Sequence, residues 1–164
     1  MRRALFRSCL AVTITALVPA ARALEVGQPA PDFTLPGRQA ELKLAQLRGQ
    51  AVYLDFWASW CGPCRQSFPW LNQMQARYGP RGLRVVGVNL DQKAPAAAAF
   101  LAQVPAHFDI AYDPAGQTPR AYGVKAMPTS VLIAPDGKVL MIHGGFREDQ
   151  REELERRIVQ ALPR

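Results

Sequence analysis

Along residues 51–57, AVYLDFW, apolar side chains follow one another almost without a break. That is the pattern of a strand buried on both faces of a partly parallel sheet. The period then changes. Phe68, Leu71, Met74 and Tyr78 recur at helical spacing until Gly79-Pro80, a pair that stops a helix. Residues 83–89, LRVVGVN, form a second buried strand, and the Ala-rich stretch 95–104 predicts a second helix. Residues 130–134 and 138–143 are two strands joined by Pro135-Asp136-Gly137, a strong hairpin signal. Leu154, Ile158 and Leu162 give the apolar stripe of a closing helix. Ahead of these elements, DFTL and ELKL within residues 30–48 predict a small hairpin. No internal repeat, low-complexity linker or second domain breaks the pattern.

The N-terminus reads differently. Arg2, Arg3 and Arg7 make a basic start, residues 9–18 are apolar or small, and Ala21-Arg22-Ala23 has the small-x-small form of a cleavage site. This is the layout of a secretory signal. Its apolar run is about half the roughly 20 residues that crossing a bilayer requires. Residues 1–23 are therefore expected to direct export to the periplasm and to be cleaved, with no stable membrane insertion afterwards; retention as an anchor is the alternative. Residues 24–164 then form one domain, large enough to bury a core without staples. Removal of the signal also changes the charge. The chain carries 20 basic and 13 acidic residues, a net +7; four arginines leave with the signal, so 16 against 13 leaves +3. The basic character is mostly a targeting feature, and no basic run with interleaved aromatics points to nucleic acid. Residues 147–157 mix arginine with acidic residues and read as a solvated helix face.

The chemistry lies in DFWASWCGPCRQSFPWL, residues 55–71. With Cys9 inside the signal, Cys61 and Cys64 are the two cysteines of the mature chain. Export places them in an oxidising compartment, where structural disulfides are common. A bridge between residues so close in sequence constrains little unfolded-chain entropy. A zinc site needs two more ligands at suitable spacing. His107 and His143 are single and far apart, and read as ordinary polar residues. A redox-active dithiol remains, working without metal or cofactor.

The order strand, helix, strand, helix, hairpin, helix, with Cys-x-x-Cys where the first strand becomes the first helix, resembles the thioredoxin superfamily. WCGPC at residues 60–64 is the thioredoxin active-site motif as it stands, and Met127-Pro128-Thr129 matches the loop carrying that family's cis proline. The resemblance is closer to exported proteins of the TlpA/ResA/CcmG type. GQPAPDFTL at residues 27–35, a Leu-x-x-Leu-Arg-Gly element at 44–49, an insert over about 90–122, and Tyr-Gly-Val-x-x-x-Pro-Thr at 122–129 all match. What this implies is a thioredoxin-like α/β fold: a central mixed sheet flanked by helices, an N-terminal β-hairpin extension, and a helical insert before the cis-proline loop.

The implied roles have physical reasons. A helix N-terminus stabilises a thiolate through its free N–H groups and dipole. Cys61 belongs at that end and should be the nucleophile, with Cys64 one turn inward as the resolving thiol. Gly62 and Pro63 allow a tight turn into the helix. Pro128, if cis, turns backbone toward the sulfurs for a substrate strand to pair with, Met127 shapes that groove, and Trp60 forms part of an exposed docking surface. Asp55, a carboxyl in a buried strand, should have a raised pKa. It matches the buried acid with which thioredoxins deprotonate the resolving thiol, the alternative being an inert, hydrogen-bonded Asp. Many TlpA-like proteins have Glu where Ser67 stands, and often Asn or another residue at the Asp55 position, so both positions depart from that pattern; Pro69 keeps the family's helix-kinking proline.

The function implied is an exported thiol–disulfide oxidoreductase that reduces disulfides of periplasmic partners such as apocytochrome c, within cytochrome c biogenesis, or copper-site proteins. An upstream electron donor, such as a membrane thiol–disulfide transporter, would re-reduce it. Two alternatives share the fold. A copper-binding chaperone would place a histidine near Met127 and Pro128, where none stands. A peroxiredoxin, suggested by PDFTL, would carry Thr-x-x-Cys, where Ala58 stands instead.

Overall fold

In the computed structural model, which describes residues 24–163, strands β1 (Thr34–Pro36) and β2 (Glu41–Lys43) pair as an antiparallel ribbon. A 3-10 turn leads into β3 (Ala51–Trp57), followed by α1 (Gly62–Tyr78), β4 (Leu83–Asn89) and α2 (Ala94–Gln103). The chain continues through β5 (Asp109–Tyr112), α3 (Gln117–Ala121), β6 (Thr129–Ile133), β7 (Val139–Gly144) and α4 (Arg151–Ala161). The main sheet has the order β5-β4-β3-β6-β7. β3, β4 and β5 run parallel, while β6 and β7 are antiparallel to their neighbours. Every residue of β3 is buried, as its unbroken apolar run demands of a central strand.

Alternation along the strands sends side chains to two cores. Tyr53 and Trp57 join Phe68, Leu71 and Met74 of α1, Phe100 of α2, and Leu154 and Ile158 of α4. Val52, Leu54 and Phe56 face the other way and are covered by Phe33, Leu35 and Leu44 of the N-terminal ribbon and by Tyr122. The first core is aromatic: Trp57 lies 5.0 Å from Phe68 and 4.8 Å from Phe100, centroid to centroid. Such packing suits offset and edge-on ring pairs. The β6–β7 hairpin turns through Gly137, whose φ of +85° favours a residue without Cβ.

The hairpins, both long strands, α1, α2 and α4 stand where the patterning predicts them. The insert before the proline loop is the exception, since it is not purely helical. It carries β5, which extends the sheet beside β4, and the short α3. Four residues of mixed polarity and a five-residue helix containing Pro119 have too little periodicity to be read locally. The segment read as an export signal, Cys9 included, lies outside the described residues. No helix among those described is long and apolar enough to cross a membrane.

Gly87 stands beside Asp55 in the β3–β4 register. A Cβ there would lie 3.0 Å from Ile110 Cδ1 and 3.1 Å from both Phe108 Cε2 and Trp57 Nε1, all within the aromatic core. Gly87→Ala should therefore overpack the core and cost about 1–3 kcal/mol. A melting temperature equal to wild type would show that the core yields freely there.

Candidate active site

β3 hands over to α1 through Ala58, Ser59 and Trp60, and this junction is tied down from the side. Ser59 donates its N–H to Asp91 Oδ2 at 2.9 Å and its hydroxyl to Asp91 Oδ1 at 2.8 Å. Asn89, the last residue of β4, donates from Nδ2 to Asp91 Oδ2 at 2.8 Å. The buried Asp91 carboxylate thus accepts three hydrogen bonds, from one strand end and one loop. That fixes the backbone just before the dithiol.

Cys61 caps α1 with no side-chain hydrogen bond to the helix, and the first turn holds no acidic residue. Negative charge on its sulfur would meet free N–H groups without a competing carboxylate. Pro63 sits in the first turn, where a missing N–H is tolerated. Cys61 and Cys64 are joined as a disulfide, S–S 2.01 Å. Cys61 is 4% exposed and Cys64 fully buried, so Cys61 is the outer sulfur. Trp60 is 72% exposed beside them. Gly62 is the first residue of α1, at the turn into the helix. It is not at a positive φ, and a Cβ there would meet nothing within 4 Å, so the turn does not demand glycine. Its effect is to leave the surface beside the sulfurs bare.

The Met127–Pro128 bond is cis. Thr129, which follows, pairs with Phe56 near the end of β3, so the loop lies at the sheet end where β3 passes to the dithiol. Pro128 accepts the Gly145 N–H at 2.8 Å, and Met127 packs, partly buried, against the cluster that contains both cysteines. Trp60, Cys61 and Cys64 are thus gathered with Met127 and Pro128, a distant segment of the sequence, at one end of the sheet.

Asp55 lies two residues from Trp57 on the face that α1 covers, fully buried. Ser130 donates its hydroxyl to Asp55 Oδ1 at 2.7 Å, and Oδ2 has no partner. Burial pushes the carboxyl up to about 7; the Ser130 hydrogen bond pulls it the other way and is the weaker effect. Ser67 cannot substitute for it: its hydroxyl is spent on the Cys64 carbonyl at 3.1 Å. Ser130, Asp91, Asn89 and Ser59 are residues that the sequence reading missed. Little local marks them, because Ser130 bonds Asp55 from 75 residues away and Ser59 bonds Asp91 from 32; the polar Ser130 inside an apolar strand was the one signal. His107 is exposed, and His143 is on β7.

A Cys-x-x-Cys pair at a helix start, beside a cis-proline loop at the end of a mixed sheet, defines a thioredoxin-fold protein built for thiol–disulfide exchange. The chain belongs to the Redoxin family, whose model matches residues 25–158. It is 35% identical over 139 residues to the thiol-disulfide oxidoreductase ResA of Bacillus thuringiensis subsp. konkukian, covering 82% of this chain and 79% of that one. ResA of Bacillus subtilis is 32% identical over 120 residues, 73% and 67% of the two chains. A solved structure from Chlorobium tepidum, provisionally assigned as a thiol:disulfide interchange protein DsbE, is 61% identical. Its TM-score is 0.83, with 85% of this chain and 99% of that one covered. Within the thioredoxin superfamily the chain is a ResA/CcmG-like thiol–disulfide oxidoreductase.

Asp55 has a consequence for stability. Its folded pKa lies above the unfolded value near 4, so folding binds the proton more tightly. The penalty is absent below about pH 4, grows as pH rises toward 7, and is constant above that. Asp55→Asn should therefore stabilise the protein at pH 8, by a few kcal/mol at most, and much less at pH 5. Melting curves at the two pH values check this; an equal gain at both would mean that the carboxyl is not titrating near neutrality.

Proposed function

We propose that the protein is exported and reduces disulfides of partner proteins by dithiol exchange, with the cysteines of apocytochrome c or of a copper-site protein as the substrate class. A membrane thiol–disulfide transporter is the proposed source of electrons. The observation that carries the reading is the pair itself: an outer Cys61 at the acid-free start of α1, a shielded Cys64 beneath it, and exposed Trp60 alongside.

In this reading the Cys61 thiolate attacks one sulfur of the substrate disulfide. The substrate S–S bond breaks, one substrate thiolate leaves, and a Cys61–substrate mixed disulfide forms. Cys64 then gives its proton to the Asp55 carboxylate, and its sulfur attacks Cys61 Sγ. The mixed disulfide breaks, the second substrate thiolate leaves, and the Cys61–Cys64 disulfide forms. Two electrons have passed to the substrate, and a dithiol donor returns them. Asp55 suits its part because a base with pKa near the working pH is both available and able to accept. Trp60, Met127 and Pro128 form the surface on which a substrate strand lies, and Gly62 and Pro63 keep the approach open.

Replacing Cys64 by Ser removes the second step alone, since a hydroxyl cannot exchange with a disulfide. Cys64→Ser should accumulate a dithiothreitol-sensitive adduct through Cys61, visible as a larger species on a non-reducing gel. Cys61→Ser should trap far less and lose reductase activity. Adducts formed through Cys64 would reverse the assignment. Mass spectrometry of the periplasmic adducts identifies the substrate.

A further inference from the structure

A buried base that takes up a proton in every cycle must also lose it, and the ground around Asp55 is mostly closed. On β3 its same-face neighbours are Tyr53 and Trp57, and on β4 its register partner is Gly87, with no side chain. Tyr53 is held protonated by burial and then by the Asp55 charge. α1 contributes Cys64, Phe68 and Leu71 to this face, and α4 contributes Leu154 and Ile158. None of these leads a proton to water.

The row across the sheet does. Asp55 pairs in register with Ser130 of β6, and Ser130 with His143 of β7. Leu132 and Met141, the pair two residues away, belong to the same core, so Asp55, Ser130 and His143 share one face. Each strand-to-strand step is about 4.8 Å. Ser130 already donates to Asp55 Oδ1, while Asp55 Oδ2 and His143 Nε2 are both shut off from water without a partner. Yet His143 as a whole is only half-buried and stands on the edge strand, between exposed Ile142 and Gly144. A ring nitrogen turned inward on a residue open to solvent is well made for moving a proton. The charged groups that follow β7 are paired among themselves, Arg147 with Asp149 and Arg151 with Glu148.

We propose that Ser130 and His143 form the path by which Asp55 exchanges its proton with solvent, a proposal that rests on Asp55 acting as the base for Cys64. After resolution Asp55 is a neutral acid. Ser130 turns its hydroxyl toward His143 and gives that proton to Nε2 while its oxygen takes the proton of Asp55. His143, now an imidazolium, releases its Nδ1 proton to water, and the ring, left protonated on Nε2, recovers its starting tautomer by proton exchange at the sheet edge before the next cycle. Serine ends as it began, Asp55 is again a carboxylate, and no electrons move. Both are positioning and relay residues; neither touches substrate.

The test uses reduced protein mixed rapidly with 5,5′-dithiobis(2-nitrobenzoate). The first thionitrobenzoate is released as Cys61 attacks, the second as Cys64 resolves the adduct. With Asp55 near pH 7 half ionised, wild type should show one resolution phase, because protons equilibrate faster than sulfur exchanges. His143→Gln and Ser130→Ala should split it in two. The ionised fraction would resolve at the normal rate and the protonated fraction on the order of ten-fold slower. The slow amplitude should grow below pH 7, vanish at pH 9, and be abolished in His143→Gln by added imidazole. Ser130→Thr, which keeps the hydroxyl, should behave as wild type. Single-phase resolution at the wild-type rate in both His143→Gln and Ser130→Ala would overturn the path. So would two phases that imidazole leaves unchanged in His143→Gln, since a packing defect is not rescued by a free base. Asp55→Asn separates the two readings. If it is slow while the relay variants are normal, the path is wrong and the base stands; if it too is normal, the base reading itself has failed.

Discussion

A carboxyl group in the middle of the central strand is a costly placement, and much around it is arranged to meet that cost. An isolated ion there is intolerable, so the group is driven toward neutrality and given one hydrogen bond. The bond comes from Ser130, the residue opposite in the antiparallel ladder, so satisfying Asp55 also fixes the register of β6 against β3. A slip of one residue would turn Ser130 to the other core and bury a hydroxyl and a carboxyl unpaired. On the parallel side Gly87 leaves the space to Trp57 and its aromatic neighbours. The proline loop inherits its position from the same register, because Thr129 is the next rung.

The dithiol end obeys a second constraint. A reactive thiol at a helix start is only as well placed as the loop that delivers it. Here the loop is held by Asp91, which binds Ser59 twice and Asn89 twice. These bonds join the ends of β3 and β4, and the Leu90 N–H adds one more to the Trp57 carbonyl at 2.9 Å. The Cys61–Cys64 pair therefore rides on two parallel strands rather than on one mobile turn, while Trp60 is left free of the core.

How much of this was legible in the chain follows from the range of the interactions. β3 and α1 announce themselves because burial writes a local period: seven buried residues in a row, then Phe68, Leu71, Met74 and Tyr78 on one helix face. WCGPC and the Pro135-Asp136-Gly137 turn are legible for the same reason, each being a local motif. β5 is not, because it is a strand only by pairing with β4, through Val86–Asp109 to Asn89–Tyr112. The Asp55 pKa could be anticipated from one charge in an apolar run. Its partners could not, since Ser130 is 75 residues distant and Asp91 stands 32 from Ser59.

The same logic bears on where the proposed base for Cys64 stands. A carboxylate on α1 at the Ser67 position would sit one turn from Cys64 and travel with the helix. Here that position is a buried serine bonded to the Cys64 carbonyl, and the carboxyl belongs to the sheet instead. A sheet-borne acid is held by strands on both sides, β4 and β6. What it gives up is contact with water, since the helices that shield the core from solvent also close over it. The polar row toward β7 is the direction in which the strand order leads from Asp55 through a hydroxyl to an imidazole at the sheet edge; the other hydroxyl near it, that of Tyr53, is buried. On the proposed mechanism, fixing the base in the sheet and leaving it a way to the edge are two sides of the same choice of strand.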